Sequence, residues 1–467
     1  MAALWSIVPD IAIPVGFTVL HAYLWLRLFR DTTRRGSPWR RVGAVVLAVL
    51  GAAGMLAQWF SPSVHAPLWF QEAVGWPGWI WFGIMMYLSG VLILSEPVRW
   101  FLLRRKKSER AERTEPRGPS DAGDAPAAAG PAGSGNAPAA AGSARPEQAP
   151  RQVEAAGADE RKGGLAGKAA GLARRAVAEP GDGDMSHGTG LSRRMVVSRA
   201  IGLGATAVAL GTVGHGLYEG YRTPQLKAVT VTLPRLDRAF DGYRIAIVGD
   251  THFSAIRGRG YCERVVERIN GAQADLIAFV GDLASNEADQ IRDATDPLAC
   301  LAARDGAFFV AGNAEHYVGA DAWYERVEEL GMTGLPNTRV ELPGFDLAGV
   351  NDLIVEQRDM HDIETGPDFE AALGDRDPSR PVVLLAHQPA AVDRIAGYGV
   401  DLQLSGHTHG GQMWPVHYLS RLRSGQLDGL ETHGGTQVYV TNGAGTNGPP
   451  IRVGADADIT VMTLRAA

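Results

Sequence analysis

Four stretches of this chain are predominantly apolar, and everything else is either nearly devoid of large apolar side chains or alternates short β-rich runs with helical periods. Leu4 to Leu26, Val42 to Phe60 and Trp76 to Ser95 each approach the ~20 residues a helix needs to cross about 30 Å of hydrocarbon. They predict three spans within residues 1–107. Residues 108–190 are Ala, Gly and Pro with scattered charge; such a composition cannot offset the entropy of ordering, so the segment reads as a disordered linker. Within 191–221, Arg193, Arg194 and Arg199 precede a charge-free run from Ala200 to Tyr218. This fits either a fourth span or an internal twin-arginine type of export signal, and both place the C-terminal half outside the membrane.

From residue 227 the pattern changes. Val229–Leu233, Tyr243–Gly249, Asp275–Gly281, Ala307–Gly312, Phe345–Val350, Pro381–Ala386, Val400–Gly406, Gln437–Asn442 and Ile459–Leu464 read as strands, with amphipathic helices over Tyr261–Asn270 and Asp321–Leu330. Runs such as IAIV and LIAFV are apolar at every position, which predicts sheets covered on both faces. Residues 227–467 are therefore expected to form an α/β domain.

Charge sharpens the division. From Lys227 onward there are 20 Lys and Arg against 34 Asp and Glu, leaving 45 − 20 = 25 basic and 51 − 34 = 17 acidic residues before it. An acidic domain is a poor partner for nucleic acid, whose affinity rests on basic side chains, and none is expected. In the front part, Arg27, Arg30, Arg34, Arg35, Arg40 and Arg41 crowd the first connection, while Ser61 to Gly75 has no Lys or Arg. Positive residues stay inside, so the first connection and the linker are expected in the cytoplasm and the C-terminal domain outside a multi-pass cell-membrane anchor. Trp69, Trp76, Trp79 and Trp81 read as an interfacial belt at the outer end of the third span. Cys262 and Cys300, the only cysteines, lie in no CxxC pair, which excludes a cysteine zinc site and leaves either one disulfide or two thiols.

Five of the strands end in chemistry: GDTH at Gly249–His252, GDL at Gly281–Leu283, GN at Gly312 and Asn313, AH at Ala386 and His387, and GHTH at Gly406–His409. Ligand sites of α/β sheets form beyond the carboxyl ends of strands, so residues far apart in sequence can converge there. Carboxylate, imidazole and amide oxygen together suit borderline divalent metals such as Zn, Mn or Fe. A lone His or a post-strand Asp is usually structural. Five such endings in one order are hard to reach by accident.

In that order, D-x-H, GD, GN, H and GHTH resemble the signature of calcineurin-like metallophosphoesterases, over about Lys227 to Leu464. GHTHGGQ and the tail GAGTNGPPIRVGADADITVMTL are similar to the membrane-anchored bacterial branch near UDP-2,3-diacylglucosamine pyrophosphatase-like enzymes. The resemblance implies a four-layer αββα sandwich and two divalent metal ions, Mn, Fe or Zn. Asp250, His252 and His409 would hold the first, Asn313, His387 and His407 the second, and Asp282 would bridge. Two cations about 3.5–4 Å apart clamp a phosphoryl group while a bridging water loses its proton and attacks in line. The implied activity is hydrolysis of a phosphomonoester or phosphodiester, with a phosphorylated small molecule or lipid as substrate and a lipid or envelope substrate favoured.

One position departs from the pattern. Where the family reads GNH and an acid, this chain reads GNAEH, with Ala314 at the place of the His that faces the phosphate. Losing a positioned proton donor costs about 10² to 10⁴ in rate. His316 substitutes if the segment is extended, and points away if it is helical. Without a substitute, the alternative is a metal-bound module that senses or binds phosphorylated ligands. His417, His433, Asn351, Asp352 and Arg452 are weaker candidates for the cleft, with turn, loop or ion-pair roles as their alternatives.

Overall fold

The computed structural model describes residues 14–60, 66–112 and 191–467. Four helices lead: α1 over residues 14–30, whose last part Trp25–Arg30 is π-helical, α2 (Trp39–Phe60), α3 (Leu68–Glu112) and α4 (Arg193–Tyr221). Trp39–Trp59, Leu68–Arg104 and Arg193–Tyr221 are long and apolar enough to cross a membrane. The first expected span, Leu4 to Leu26, lies partly outside the described residues, as does the expected linker from residue 113 on. Helix α3 starts at Leu68, eight residues before the expected Trp76, directly after Pro67, which has no amide hydrogen to offer a preceding turn.

Helices α1, α3 and α4 meet at a buried carboxylate. Asp31 receives Arg27 of α1 at 2.8 Å, Arg99 of α3 at 2.6 Å and Arg194 of α4 at 2.9 Å. Higher up, α2 crosses α3 where Gly78 leaves room: a Cβ there would overlap the Ala53 carbonyl and the Ala57 methyl. The expected aromatic belt is only half present. Trp69 is exposed, but Trp79 and Trp81 are buried, and Trp81 Nε1 donates to His21 Nε2 at 2.9 Å, because packing between helices removes these rings from the lipid-facing surface.

The α/β domain holds two six-stranded sheets. The first runs β1-β12-β2-β3-β4-β5, with β1 (Gln225–Leu233), β2 (Arg244–Val248), β3 (Leu276–Val280), β4 (Ala307–Val310), β5 (Thr333–Gly334) and β12 (Asp458–Ala466). Its pairs are parallel except β12 with β2. The second runs β10-β11-β9-β8-β7-β6, with β6 (Thr338–Glu341), β7 (Asp346–Gly349), β8 (Val382–Leu385), β9 (Leu402–Ser405), β10 (Gly429–His433) and β11 (Thr436–Val440), parallel at its centre and antiparallel at both edges. All nine expected strands are present. The three that the pattern did not show, β5, β6 and β10, are edge strands whose exposed or very short sequences lack an apolar run.

Strand residues alternate between two cores, as the period of two requires. Ile245, Ile247, Leu276, Ala278, Val280 and Val310 face Leu347, Val383, Leu385, Leu402 and Leu404 of the other sheet. Ala246, Val248, Ile277, Phe279 and Phe309 face the outer helices α5 (Arg259–Gly271) and α7 (Ala320–Glu329), through Cys262, Val265, Ile269, Trp323 and Val327. The second sheet is covered outside by Phe369, Ala372, Leu373 and Ile395. This is the four-layer αββα sandwich. Each large side chain so buried contributes about 1.5–3 kcal/mol, and the register it fixes brings the carboxyl ends of β2, β3, β4, β8 and β9 to one edge. Two short helices adjoin that edge, α6 (Asn313–Val318), between β4 and α7, and α8 (His417–Ser424) after β9. Cys262 is buried and Cys300 exposed, and both are free thiols.

Candidate metal centre

At the end of β2 the chain turns so that Asp250 and His252 point under the sheet edge, and Asp282 does the same after β3. The turns are tied to each other by Asp250 N donating to Gly281 O (3.0 Å) and His252 N to Asp282 O (3.1 Å). Asp250, His252, Asp282, His407 and His409 all have positive φ, between 46° and 72°. A left-handed backbone is costly for residues with a Cβ, and such strain persists where the surroundings over-determine it, chiefly at functional sites. Five strained residues among seven candidate ligands is a signal no local propensity predicts.

Close approach is what the flanking glycines allow. At Gly281, with φ +89°, a Cβ would lie 2.6 Å from His387 Nδ1; at Gly406 it would overlap the Asp250 carboxylate. Through that gap the amide of His407 donates to Asp250 Oδ1 at 3.0 Å and Oδ2 at 3.1 Å.

The donor atoms meet in two groups around Asp282. Single ligand atoms of Asp250, His252, Asp282 and His409 lie within 4.8 Å of one another, all four residues buried. His252 Nε2 is 3.3 Å from Asp282 Oδ2 and 3.2 Å from His409 Nε2, which in turn is 3.3 Å from Asp250 Oδ1. On the other side, Asp282 Oδ1 lies 3.3 Å from His387 Nε2, itself 3.1 Å from Asn313 Oδ1, and that oxygen is 2.7 Å from His407 Nδ1. The two carboxylate oxygens of Asp282 therefore face different groups. Asn313 and His407 are half-buried and form the open rim. The structure brings all seven residues together.

The donor set fits a cation. His387 Nδ1 has the Val280 carbonyl at 2.8 Å, an acceptor only, so that nitrogen carries the hydrogen and the Nε2 lone pair faces two oxygens. Lone pairs opposed in this way are stabilised by positive charge placed between them. Electrostatics agree: although burial opposes the charged ring, the Asp282 carboxylate holds His387 well above the ordinary imidazole value. Burial pushes Asp250 up to about 6, while burial and then the neighbouring His252 ring hold His409 well below the usual range. Asp282 stays well below the carboxylate range: burial raises it, but His387 and His252 outweigh that. His252 Nδ1 is oriented by Ser285 Oγ at 2.9 Å, the outer partner that metal-binding imidazoles need.

Two residues supporting the site were not singled out in the sequence. Glu315 is buried and accepts from Gly312 N (2.8 Å), Asp282 N (3.0 Å) and Ala284 N (2.9 Å), clamping the turns after β3 and β4. Burial, then the Asp282 charge, pushes it up to about 8. Its only sequence signal is an acid directly after the departure at Ala314. Gln388, next to His387, donates to Asp352 Oδ1 at 2.7 Å.

The candidate acid His316 is corrected by this geometry. It lies on α6, the helical case, and both ring nitrogens are engaged: Nε2 accepts from Asp352 N at 3.3 Å, so Nδ1 donates to Glu364 at 2.8 Å. A helix turns successive side chains apart, which directs His316 away from the direction of Ala314. Arg452 serves neither as a phosphate contact nor as an ion-pair partner among the described residues. It is buried and donates to the carbonyls of Gly445, His409, Ala455, Asn442 and Gly443. Asn351 braces Tyr324 and Thr365, His417 packs on Tyr418, and His433 is exposed on β10.

A family model for calcineurin-like phosphoesterases matches residues 243–411, which contain all seven residues. An uncharacterized metallophosphoesterase from Helicobacter pylori is 34% identical over 275 residues, spanning 58% of this chain and 72% of that protein. A transmembrane protein with metallophosphoesterase domain from Bos taurus is 33% identical over 290 residues, 59% of this chain and 64% of its own. The metallophosphoesterase YkuE of Bacillus subtilis, also uncharacterized, is 30% identical over 286 residues, 59% of this chain and 98% of its own. With the sandwich, the strand-end residues and these relatives in agreement, the chain belongs to the calcineurin-like phosphoesterase family.

Proposed function

We propose that the chain is a membrane-anchored phosphoesterase working with two divalent cations, one held by Asp250, His252 and His409, the other by Asn313, His387 and His407, with Asp282 shared. The observation that carries this reading is the division of Asp282, one oxygen toward His252 and the other toward His387. When bound, such cations supply Lewis acidity toward a phosphoryl oxygen and acidify water. The chain's own part is positioning. Glu315 fixes the two turns that present Asp282 and Asn313, Ser285 and the Val280 carbonyl fix the His252 and His387 rings, and the half-buried rim at Asn313 and His407 admits the substrate. Proton delivery to the leaving group has no residue assigned to it, since Ala314 carries none and His316 is engaged elsewhere.

The substrate proposed is a phosphomonoester or phosphodiester of a lipid or envelope component. Membrane-anchoring helices, and a GHTHGGQ motif and tail similar to the UDP-2,3-diacylglucosamine pyrophosphatase-like branch, support it. We also propose that the domain is extracytoplasmic, since Arg27, Arg99 and Arg194 gather at the helix ends away from Tyr221, where the domain begins. The purified full chain, assayed on a panel of esters with metal content measured on the same sample, is expected to turn over activated aryl esters well and poor leaving groups slowly. Ala314→His then accelerates the poor leaving groups by up to about 10² to 10⁴. A chain holding both metals that turns over nothing, with or without this change, makes the ligand-binding module the better reading, which Ala314 specifically favours.

A further inference from the structure

Among the described residues of the domain, 225–467, nine large apolar side chains are exposed, and five of them fall within nine consecutive positions: Trp414, Val416, Tyr418, Leu419 and Leu422. They lie on or just before α8, where Leu419 is 68% and Leu422 84% exposed. The α8 sequence, HYLSRLRS, carries two arginines and no acid in an otherwise acidic domain. A concentrated apolar patch on an element that adds no core is a docking surface.

Its place relative to the helices identifies the occupant. The loop from Gly445 to Val453 enters the helix bundle: Ile451 packs with Trp81, Met85 and Val213, and a Cβ on Gly83 would overlap its Cδ1. On Gly216 a Cβ would sit 2.5 Å from Ile451 and on Gly220 2.6 Å from the Pro450 carbonyl, while Arg452 N donates to Gly216 O at 2.9 Å. Between Glu72 and Glu96 of α3, and between Arg199 and Glu219 of α4, there is no charged residue. Gly83 lies eleven residues inside the first boundary and Gly216 three inside the second, which at 1.5 Å per residue is about 16 and 5 Å below the outer charges. Ile451 thus sits beneath the outer edge of the apolar layer. Met413 belongs to the same packed cluster, bridges to Val453, and is followed by Trp414, whose amide donates to Val453 O at 2.8 Å. The exposed patch therefore starts at a residue bonded to Val453, which is two positions from Ile451 at membrane depth.

We infer that α8 lies in the lipid interface of the leaflet on the domain's side, with Trp414, Leu419 and Leu422 immersed and Arg421 at the headgroups, as interfacial amphipathic helices lie. The patch adjoins the metal centre: a Cβ on Gly411 would overlap His417 of α8, and Gly411 is two residues from His409. The rim at Asn313 and His407 then opens beside the headgroups, and the site takes a phosphate carried on a lipid of that leaflet; this second step rests on the phosphoesterase reading.

The full chain in phosphatidylethanolamine and phosphatidylglycerol vesicles tests both steps. In a Cys300→Ser background, a bimane fluorophore at Leu422→Cys is expected to be quenched at least threefold more by spin-labelled lipid than one at Ile363→Cys, an exposed site elsewhere on the domain, and at least threefold less by aqueous iodide. Equal iodide quenching at the two sites overturns the immersion, and so does protection at Leu422 from both quenchers, which means a protein or a second copy covers α8. Separately, Leu419→Asp with Leu422→Asp is expected to slow hydrolysis of phosphatidic acid in vesicles at least tenfold while turnover of p-nitrophenyl phosphate stays within twofold. Unchanged phosphatidic acid hydrolysis overturns the role of α8 in presenting the lipid, and an unmutated chain that turns over p-nitrophenyl phosphate but not phosphatidic acid overturns the lipid substrate. If the unmutated chain hydrolyses neither compound nor the diester bis-p-nitrophenyl phosphate, the phosphoesterase reading fails and the fluorescence result still decides the placement of α8.

Discussion

Around Asp282 the chain gathers two carboxylates, four imidazoles and an amide; around Ile451 it gathers glycines and apolar side chains. Both regions depend on backbone approaching closer than a Cβ permits, at Gly281 and Gly406 in one and at Gly83, Gly216 and Gly220 in the other. In the first, closeness concentrates lone pairs and strained backbone until positive charge is favoured. In the second, it seats apolar side chains and loop backbone against the helices, with the Arg452 amide donating to Gly216 O. The same device makes a candidate metal site when the converging groups are metal-ligating and a packed joint when they are apolar. Arg452 belongs to both: its backbone bonds to α4, and its guanidinium bonds to the carbonyl of His409.

Removing the shared carboxylate should separate the regions most sharply. Asp282→Ala leaves two groups of ligands with nothing between them, so elemental analysis is expected to fall well below two metals per chain and turnover on the order of 10³-fold or more; the helix joint, read by the melting temperature of the metal-free chain, should hardly move. Two tightly retained ions in that variant would mean that Asp282 is not the bridge. Arg452→Met comes next. It strips five carbonyls of a charged donor, each such bond being worth about 1.5–3 kcal/mol, so both stability and metal retention should drop, and a loss of stability with unchanged metal affinity would show that the joint does not reach the site. The smallest effect is expected for Gly216→Val, where overpacking costs about 1–3 kcal/mol. It should lower the melting temperature and leave metal content per folded chain intact. Lost metal in this variant, rather than lost stability, would break the distinction between the two regions.

The site was far more legible than the joint. Asp250, Asp282 and His387 each follow an apolar run that ends in a glycine or alanine, and the order of these endings along the chain is enough to gather them once the strands lie parallel. Ile451 and Gly216, by contrast, sit 235 positions apart in segments whose composition is ordinary for a loop and a membrane helix. Nothing in either segment names the other. His316 marks the middle ground. Two residues past Ala314 it was a candidate for the missing acid, and only the helical turn over Asn313–Val318 and the bond to Glu364, 48 positions away, decided against it.

By itself, then, the sequence determined nine of the twelve strands, the three described helices long enough to span and the identity of the seven clustered residues, because periodicity and strand-end chemistry are local properties repeated in a fixed order. Tertiary structure alone decided the left-handed backbone at five of those residues, the two faces of Asp282, the engagement of His316 and the entry of Ile451 between α3 and α4. Each of these depends on the distance between groups that the chain brings together only by folding, and a distance across the fold has no counterpart in composition or period.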